Sequence, residues 1–212
     1  MGLHYSGEIQ IAKLEVGKFS NNCYIVACPK TREGIIIDTP AEPERILEAA
    51  QSVLVRGIVI THAHGDHLGA FGEVTRELAA PVYVHPLEAA KIPPCVHLPL
   101  EDGQLLQVGT VRIQVIHTPG HTPGSICLLI GKHLFSGDTL FPGGPGATRT
   151  PEAFREIVQT ITTRLFPLPD DTLVYPGHGL DTVLQKEKEE YRLFCEKEHR
   201  PDLCGDVLWL SA

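Results

Sequence analysis

The residues best able to do chemistry lie in one short stretch, Thr61-His62-Ala63-His64-Gly65-Asp66-His67. Neutral imidazoles and carboxylates are the ligands that zinc, iron and manganese accept. In an extended turn the alternate positions 62 and 64 converge on one point. Asp66 and His67, where the chain turns into a helix, address a second point nearby. A surface loop rich in histidine would have the same composition. Three His and one Asp within six residues, directly after an apolar strand, argue instead for metal binding.

Three further places add groups of the same kind. His117-Thr118-Pro119-Gly120-His121-Thr122-Pro123-Gly124-Ser125 is a Pro/Gly turn holding two histidines, either of which could be a ligand. Phe135-Ser136-Gly137-Asp138-Thr139-Leu140 puts a carboxylate at the end of an apolar strand, and Tyr175-Pro176-Gly177-His178-Gly179 does the same with a histidine. Each of the three puts a ligand-type residue at a strand terminus, next to glycine, where backbone can pack tightly and leave a cleft. His4, His85, His97, His133 and His199 have no such neighbours and read as structural or surface residues. No serine or cysteine nucleophile is evident.

The elements that must position these groups can be read from apolar patterning. Strands are expected at Ile9–Val16, Cys23–Cys28, Gly34–Asp38, Gly57–Thr61 and Val82–Val84, then at Leu105–Val108, Val111–Ile116, Ser125–Ile130, His133–Ser136 and Thr172–Tyr175. Helical periodicity covers Glu42–Ser52, His67–Ala79, Pro151–Leu165 and Leu184–Phe194. Thr150 is the expected N-cap of the third helix, with Pro151 at its first position. The charged run Lys186–Glu190 reads as a solvated helix face. Gly143–Thr150, rich in Gly and Pro, reads as a loop beside the site.

With 212 residues, 42% apolar and 21% charged, the chain suits a soluble globular protein with a sizeable core. A net charge of −8 argues against nucleic acid as a partner. No run is apolar and long enough to span a membrane, and no signal peptide is recognisable, so a cytoplasmic protein is expected. Met1-Gly2-Leu3-His4-Tyr5-Ser6 fits the short myristoylation consensus, but no basic cluster follows to supply a second anchor. The six cysteines lack Cys-x-x-Cys spacing and are expected to be reduced, Cys195 and Cys204 included.

Together these motifs resemble the metallo-β-lactamase superfamily over nearly the whole chain. The resemblance implies an α/β fold, a four-layer αβ/βα sandwich of two mixed sheets flanked by helices, with 1–212 as a single domain. It implies two divalent metal ions, zinc first, with iron or manganese also compatible. His62, His64 and His121 would hold one; Asp66, His67 and His178 would hold the other; Asp138 would bridge both. In the family pattern the ligand is the histidine followed by Thr-Pro-Gly or Thr-Ser-Gly, which favours His121 over His117. Asp38 resembles an acidic position that supports the metal-binding loop. The implied chemistry is hydrolysis by a metal-bridging hydroxide that Asp66 helps to orient.

Within the family the chain looks most like short glyoxalase II-like proteins, which hydrolyse hydroxyacyl thioesters of glutathione. Asn21-Asn22-Cys23-Tyr24, the His117–Ser125 turn and Ser136-Gly137-Asp138-Thr139-Leu140-Phe141 carry that likeness. Two departures weaken glutathione itself as the thiol. The stretch Gly143–Arg149 lacks the Lys and Tyr of the usual glutathione grip, although Arg149 could meet a carboxylate. Only 34 residues follow His178, short of the helical C-terminal domain of typical members. A small thioester or ester is therefore the expected substrate. The rival readings are a mononuclear iron enzyme like persulfide dioxygenase, a lactonase of the same fold, and a non-catalytic protein that keeps the fold.

Overall fold

A computed structural model describes residues 2–212; Met1, which begins the myristoylation pattern, lies outside the described residues. The strands form a seven-stranded and a six-stranded mixed sheet, with a two-stranded ribbon besides. The chain divides into two compact units, one ending at Val115 and the other spanning Ile116–Ala212.

In the first unit, β1 (Tyr5–Ser6), β2 (Gln10–Val16), β3 (Asn21–Ala27), β4 (Glu33–Ile37), β5 (Leu54–Ile60), β6 (Val82–Val84) and β7 (His97–Pro99) lie side by side in chain order. The first four are antiparallel, and β4 to β7 are parallel. A parallel pair needs a crossover. Helices α1 (Pro43–Ala50) and α2 (Phe71–Leu78) supply two of them. Covered strands read as unbroken apolar runs, and Ile35–Ile37 and Ile58–Ile60 are all buried. Ile46 of α1 and Phe71 and Val74 of α2 pack into the same core as Ile36, Ile58 and Ile60. The strands β8 (Leu105–Val108) and β9 (Val111–His117) form a hairpin.

In the second unit, β10 (Ile126–Ile130) and β11 (His133–Gly137) are antiparallel, and Leu140–Phe141 (β12) pairs with Gly144–Pro145 (β13) as the ribbon. β14 (Leu173–Pro176) runs parallel to β11, and β15 (Thr182–Val183) antiparallel to β14. Helix α3 (Pro151–Thr160) begins as expected, with Thr150 Oγ1 accepting from the Ala153 amide at 3.2 Å, and continues as a π-helical turn to Leu165. Its Ile157, with Ile161, Leu165, Trp209 and both Leu184 and Phe194 of α4 (Leu184–Cys195), builds a second core. No helix among the described residues is long and apolar enough to cross a membrane.

Two expectations need correction. The helix expected from His67 starts only at Phe71. The Thr39 amide donates to the His67 carbonyl, and the Ala70 amide donates to the Thr39 carbonyl. Gly69 meanwhile packs so closely on Pro40 that a Cβ would meet its carbonyl at 2.3 Å. These ties leave Gly65–His67 as a single 3-10 turn. The run Lys186–Glu190 is not wholly solvated either, because Glu187 is fully buried.

Both parallel pairs serve the site in the same way. The register Ile37↔Val59 brings Asp38 and Thr61 to one sheet edge. The register Gly137↔Pro176 does the same for Asp138 and His178.

Candidate metal-binding site

The chain leaves β4 at Asp38, a buried residue in the left-handed region at φ 57°. Asp and Asn adopt that conformation more readily than bulkier residues. There the carboxylate reaches the start of the histidine loop. Oδ1 accepts the Thr61 amide at 2.8 Å; Oδ2 accepts Thr61 Oγ1 at 2.7 Å and His67 Nδ1 at 2.9 Å. A carboxylate facing a ring nitrogen can only accept, so the His67 proton is on Nδ1 and its lone pair on Nε2. Thr61 Oγ1, having given its proton to Asp38, accepts from His62 Nδ1 at 3.2 Å and sets the same tautomer there.

His62 Nε2 and His64 Nδ1 then face each other at 3.1 Å. A tetrahedral cation with bonds of about 2.0–2.1 Å holds its ligand atoms about 3.3 Å apart, so this spacing suits two ligands of one ion. Asn21 Nδ2 donates to Asp66 Oδ2 at 2.9 Å, and that oxygen lies 3.8 Å from His67 Nε2. The buried Glu88 accepts the Ala63 amide at 3.2 Å and also meets Lys91. Glu88 has no motif around it, and its supporting role was not visible in the sequence.

The second unit carries the other candidates. His121 Nδ1 donates to the Ala147 carbonyl at 2.8 Å, which again leaves the lone pair on Nε2. Asp138 Oδ2 lies 3.5 Å from His121 Nε2 and 3.4 Å from His178 Nε2. The close approach depends on Gly146, where a Cβ would fall 1.9 Å from the Asp138 carbonyl and 3.3 Å from His121 Nδ1. His117 instead uses Nε2 to reach the Pro123 carbonyl of its own turn at 2.8 Å. Arg149 is exposed and does not line the cavity that opens on His121, Asp138 and His178; Asp206 does.

Each unit thus brings its own sequence-predicted ligands together, His62, His64, Asp66 and His67 in the first and His121, Asp138 and His178 in the second. All seven belong to groups able to hold a metal ion. Imidazole with carboxylate suits zinc, iron or manganese better than the all-oxygen sets of calcium or magnesium. Outer partners that fix a tautomer, as Asp38, Thr61 and the Ala147 carbonyl do, are a regular companion of metal-binding histidines. The donor set fits a divalent cation. Among the thiols, burial pushes Cys127 up to about 11, far from a reactive thiolate, and all six cysteines are free.

Comparison with known proteins agrees with this chemistry. A hydroxyacylglutathione hydrolase of Polaromonas sp. is 37% identical over 76% of this chain, which spans 62% of that protein's length. Hydroxyacylglutathione hydrolase GloC of Haemophilus influenzae is 28% identical over 85% of this chain and 95% of its own. Three crystal structures superpose with a TM-score of 0.74, each over 84% of this chain. They are TTHA1623 in a di-iron-bound form (34% identity, 96% of its chain), ETHE1 from Myxococcus xanthus (30%, 81%) and the BLEG-1 B3 metallo-beta-lactamase (29%, 96%). With the metallo-beta-lactamase superfamily model matching residues 16–178 as well, the chain belongs to that superfamily.

Proposed function

We propose that this protein is a binuclear metal-dependent hydrolase of small thioesters. The observation that carries the reading is Asp138 Oδ2, set at nearly equal distance from the ring nitrogens of His121 and His178. By the family pattern those two histidines serve different metals, and an oxygen between them is where a bridging ligand belongs. In this reading His62, His64 and His121 would hold one cation, Asp66, His67 and His178 would hold the other, and Asp138 would be a ligand to both. When bound, the cations supply Lewis acidity and lower the pKa of water towards neutrality. Asp66, held by Asn21, would be placed to orient a water there. The histidine tautomers set by Asp38, Thr61 and Ala147 keep the ligand nitrogens in place without rearrangement. The hydroxyacylglutathione hydrolase relatives support a thioester as the class of substrate, with cleavage releasing an acid and a thiol.

The test is metal analysis of the purified protein with a panel of hydroxyacyl-glutathione, a simple thioester, a lactone and a β-lactam. Two metals per chain and a higher kcat/KM on the thioesters than on the β-lactam are expected. Asp138→Ala should lose at least a hundredfold in kcat while its circular dichroism stays native. Near-normal turnover by that variant with both metals bound would remove the bridging role. One iron per chain with sulfite formed from glutathione persulfide would move the protein to the dioxygenase class.

A further inference from the structure

The second unit holds a cavity of about 420 Å³ that opens on His121, Asp138 and His178. Its other walls are apolar, made by Phe141, Pro145, Val207 and Leu208, with the acidic side chain of Asp206 beside them. No lysine or arginine among the described residues lines it. Three of the lining residues, Asp206, Val207 and Leu208, come from the segment after α4, and that segment is built in. The Trp209 amide donates to the Gly143 carbonyl at 2.7 Å, and Gly205 exchanges backbone hydrogen bonds with Thr148 at 2.8 and 3.2 Å. Trp209 itself is fully buried, edge-on to Tyr191 and Phe194. At Gly144 a Cβ would meet the Val207 carbonyl at 2.3 Å, so ribbon and segment pack backbone to backbone.

We infer that this cavity is a specificity pocket for a short, apolar, uncharged arm of the substrate, and that Asp206 excludes anionic arms. The inference rests on the thioesterase reading and adds the substrate's chemistry to it. Leu208 is 53% exposed although it faces a site of reaction. An apolar arm lying against it removes that surface from water. A carboxylate-tipped arm lying along Val207 and Leu208 would meet Asp206 with no lysine or arginine in the wall to offset the repulsion, whereas the charge of Asp138 would be taken up by the proposed cations. Nor does the pocket wall hold a lysine or arginine for the carboxylates of a glutathione tripeptide, in keeping with the missing Lys/Tyr grip in Gly143–Arg149.

The experiment compares S-butyryl and S-succinyl thioesters of N-acetylcysteamine, a small uncharged thiol, on the metal-replete enzyme. Wild type should prefer butyryl by roughly tenfold in kcat/KM, the scale of one unfavourable charge contact of about 1.4 kcal/mol. Asp206→Asn should narrow the ratio to about threefold or less. Glu198→Gln, an equal change of charge at an exposed residue that does not line the pocket, should leave the ratio alone. In parallel, the non-hydrolysable butyramide and succinamide analogues are titrated into labelled protein, and amide shifts at Gly144 and Leu208 are followed. Butyramide should move both at lower concentration than succinamide. Equal turnover of the two thioesters, a ratio indifferent to Asp206→Asn, or analogue binding that spares Gly144 and Leu208 would overturn the inference and leave the thioesterase reading standing. Charge-selective binding with no turnover of either thioester would uphold the pocket and overturn the thioesterase reading. Neither binding nor turnover would overturn both.

Discussion

Asp38 joins three donors with two oxygens, holding the Thr61 amide, the Thr61 hydroxyl and His67 Nδ1 at once. All three are buried, so each would cost about 1–3 kcal/mol if left unpaired. Asn at this position tolerates the left-handed backbone but carries one acceptor where two are needed. Turned one way its amide meets the Thr61 N–H; turned the other it meets His67 and the Thr61 hydroxyl. Asp38→Asn should therefore weaken metal retention by roughly ten- to a hundredfold in a chelator competition, the usual scale for losing an outer-shell partner. Asp38→Ala should fall about 1 kcal/mol further in urea unfolding, because alanine resists φ near 57°. Wild-type metal affinity in Asp38→Asn would show that His67 does not depend on this carboxylate. The residue was visible in advance as an acid at a strand end. Its three partners were not, because they follow from the parallel register of β4 and β5.

At the scale of elements, α4 shows how a helix reaches the site. Glu187, fully buried, accepts the Thr182 hydroxyl at 2.6 Å and the Gly143 amide at 2.8 Å, and so ties α4 to the ribbon of β12 and β13. Burial raises its carboxyl above the ordinary range. A raised folded-state pKa means the folded protein binds this proton more tightly than the unfolded chain. The stability it contributes is full below the unfolded pKa, about 4.3, and is lost as pH climbs through the folded value. Glu187→Gln removes that titration, while its amide can still accept from Gly143 and donate to Thr182. Urea unfolding of both proteins at pH 4 and pH 7 should show wild type losing ground to the variant at the higher pH. An unchanged difference would mean Glu187 ionises alike in both states. Glu187 could have been found from phase: Leu184, Glu187, Tyr191 and Phe194 recur at helical spacing, and the first and last belong to the core. Residue type outweighed position in the sequence reading. The isoleucine runs of β4 and β5 were legible because covered parallel strands need unbroken apolar residues. The two-residue strands β1, β12, β13 and β15 are too short to carry a period, and only distant partners order them.

For the whole molecule, the consequence of the proposed site lies in how it spreads along the chain. His62, His64, Asp66 and His67 belong to the first unit, and His121, Asp138 and His178 to the second. The seven groups stand out one motif at a time: four in or beside the histidine loop, Asp138 and His178 just past strand ends, and His121 in the Pro/Gly turn between β9 and β10. A cation whose proposed ligands are gathered only by folding favours the folded state. Metal at a thousand times its dissociation constant stabilises such a state by about 4 kcal/mol. In a chain of this size each kcal/mol moves Tm by about 2–4 °C. With two such cations to lose, about 8 kcal/mol together, chelation should lower Tm by roughly 16–32 °C. The acidic chain adds to the effect, for it carries a net charge of −8 before any cation binds. Calorimetry with and without chelator, with metal content measured on the same samples, checks this. Adding zinc, iron or manganese back should restore the lost stability, and the ion that restores both Tm and turnover at the lowest concentration is the best candidate for the resident metal. His121→Ala and His64→Ala remove two groups that are proposed to share one ion. Each should remove a similar part of the metal-dependent shift, and the double variant should remove little more than either alone, because groups that act on one ligand are not additive. If the two effects simply add, or if chelated and metal-replete protein melt together after metal loss is verified, the shared site is wrong.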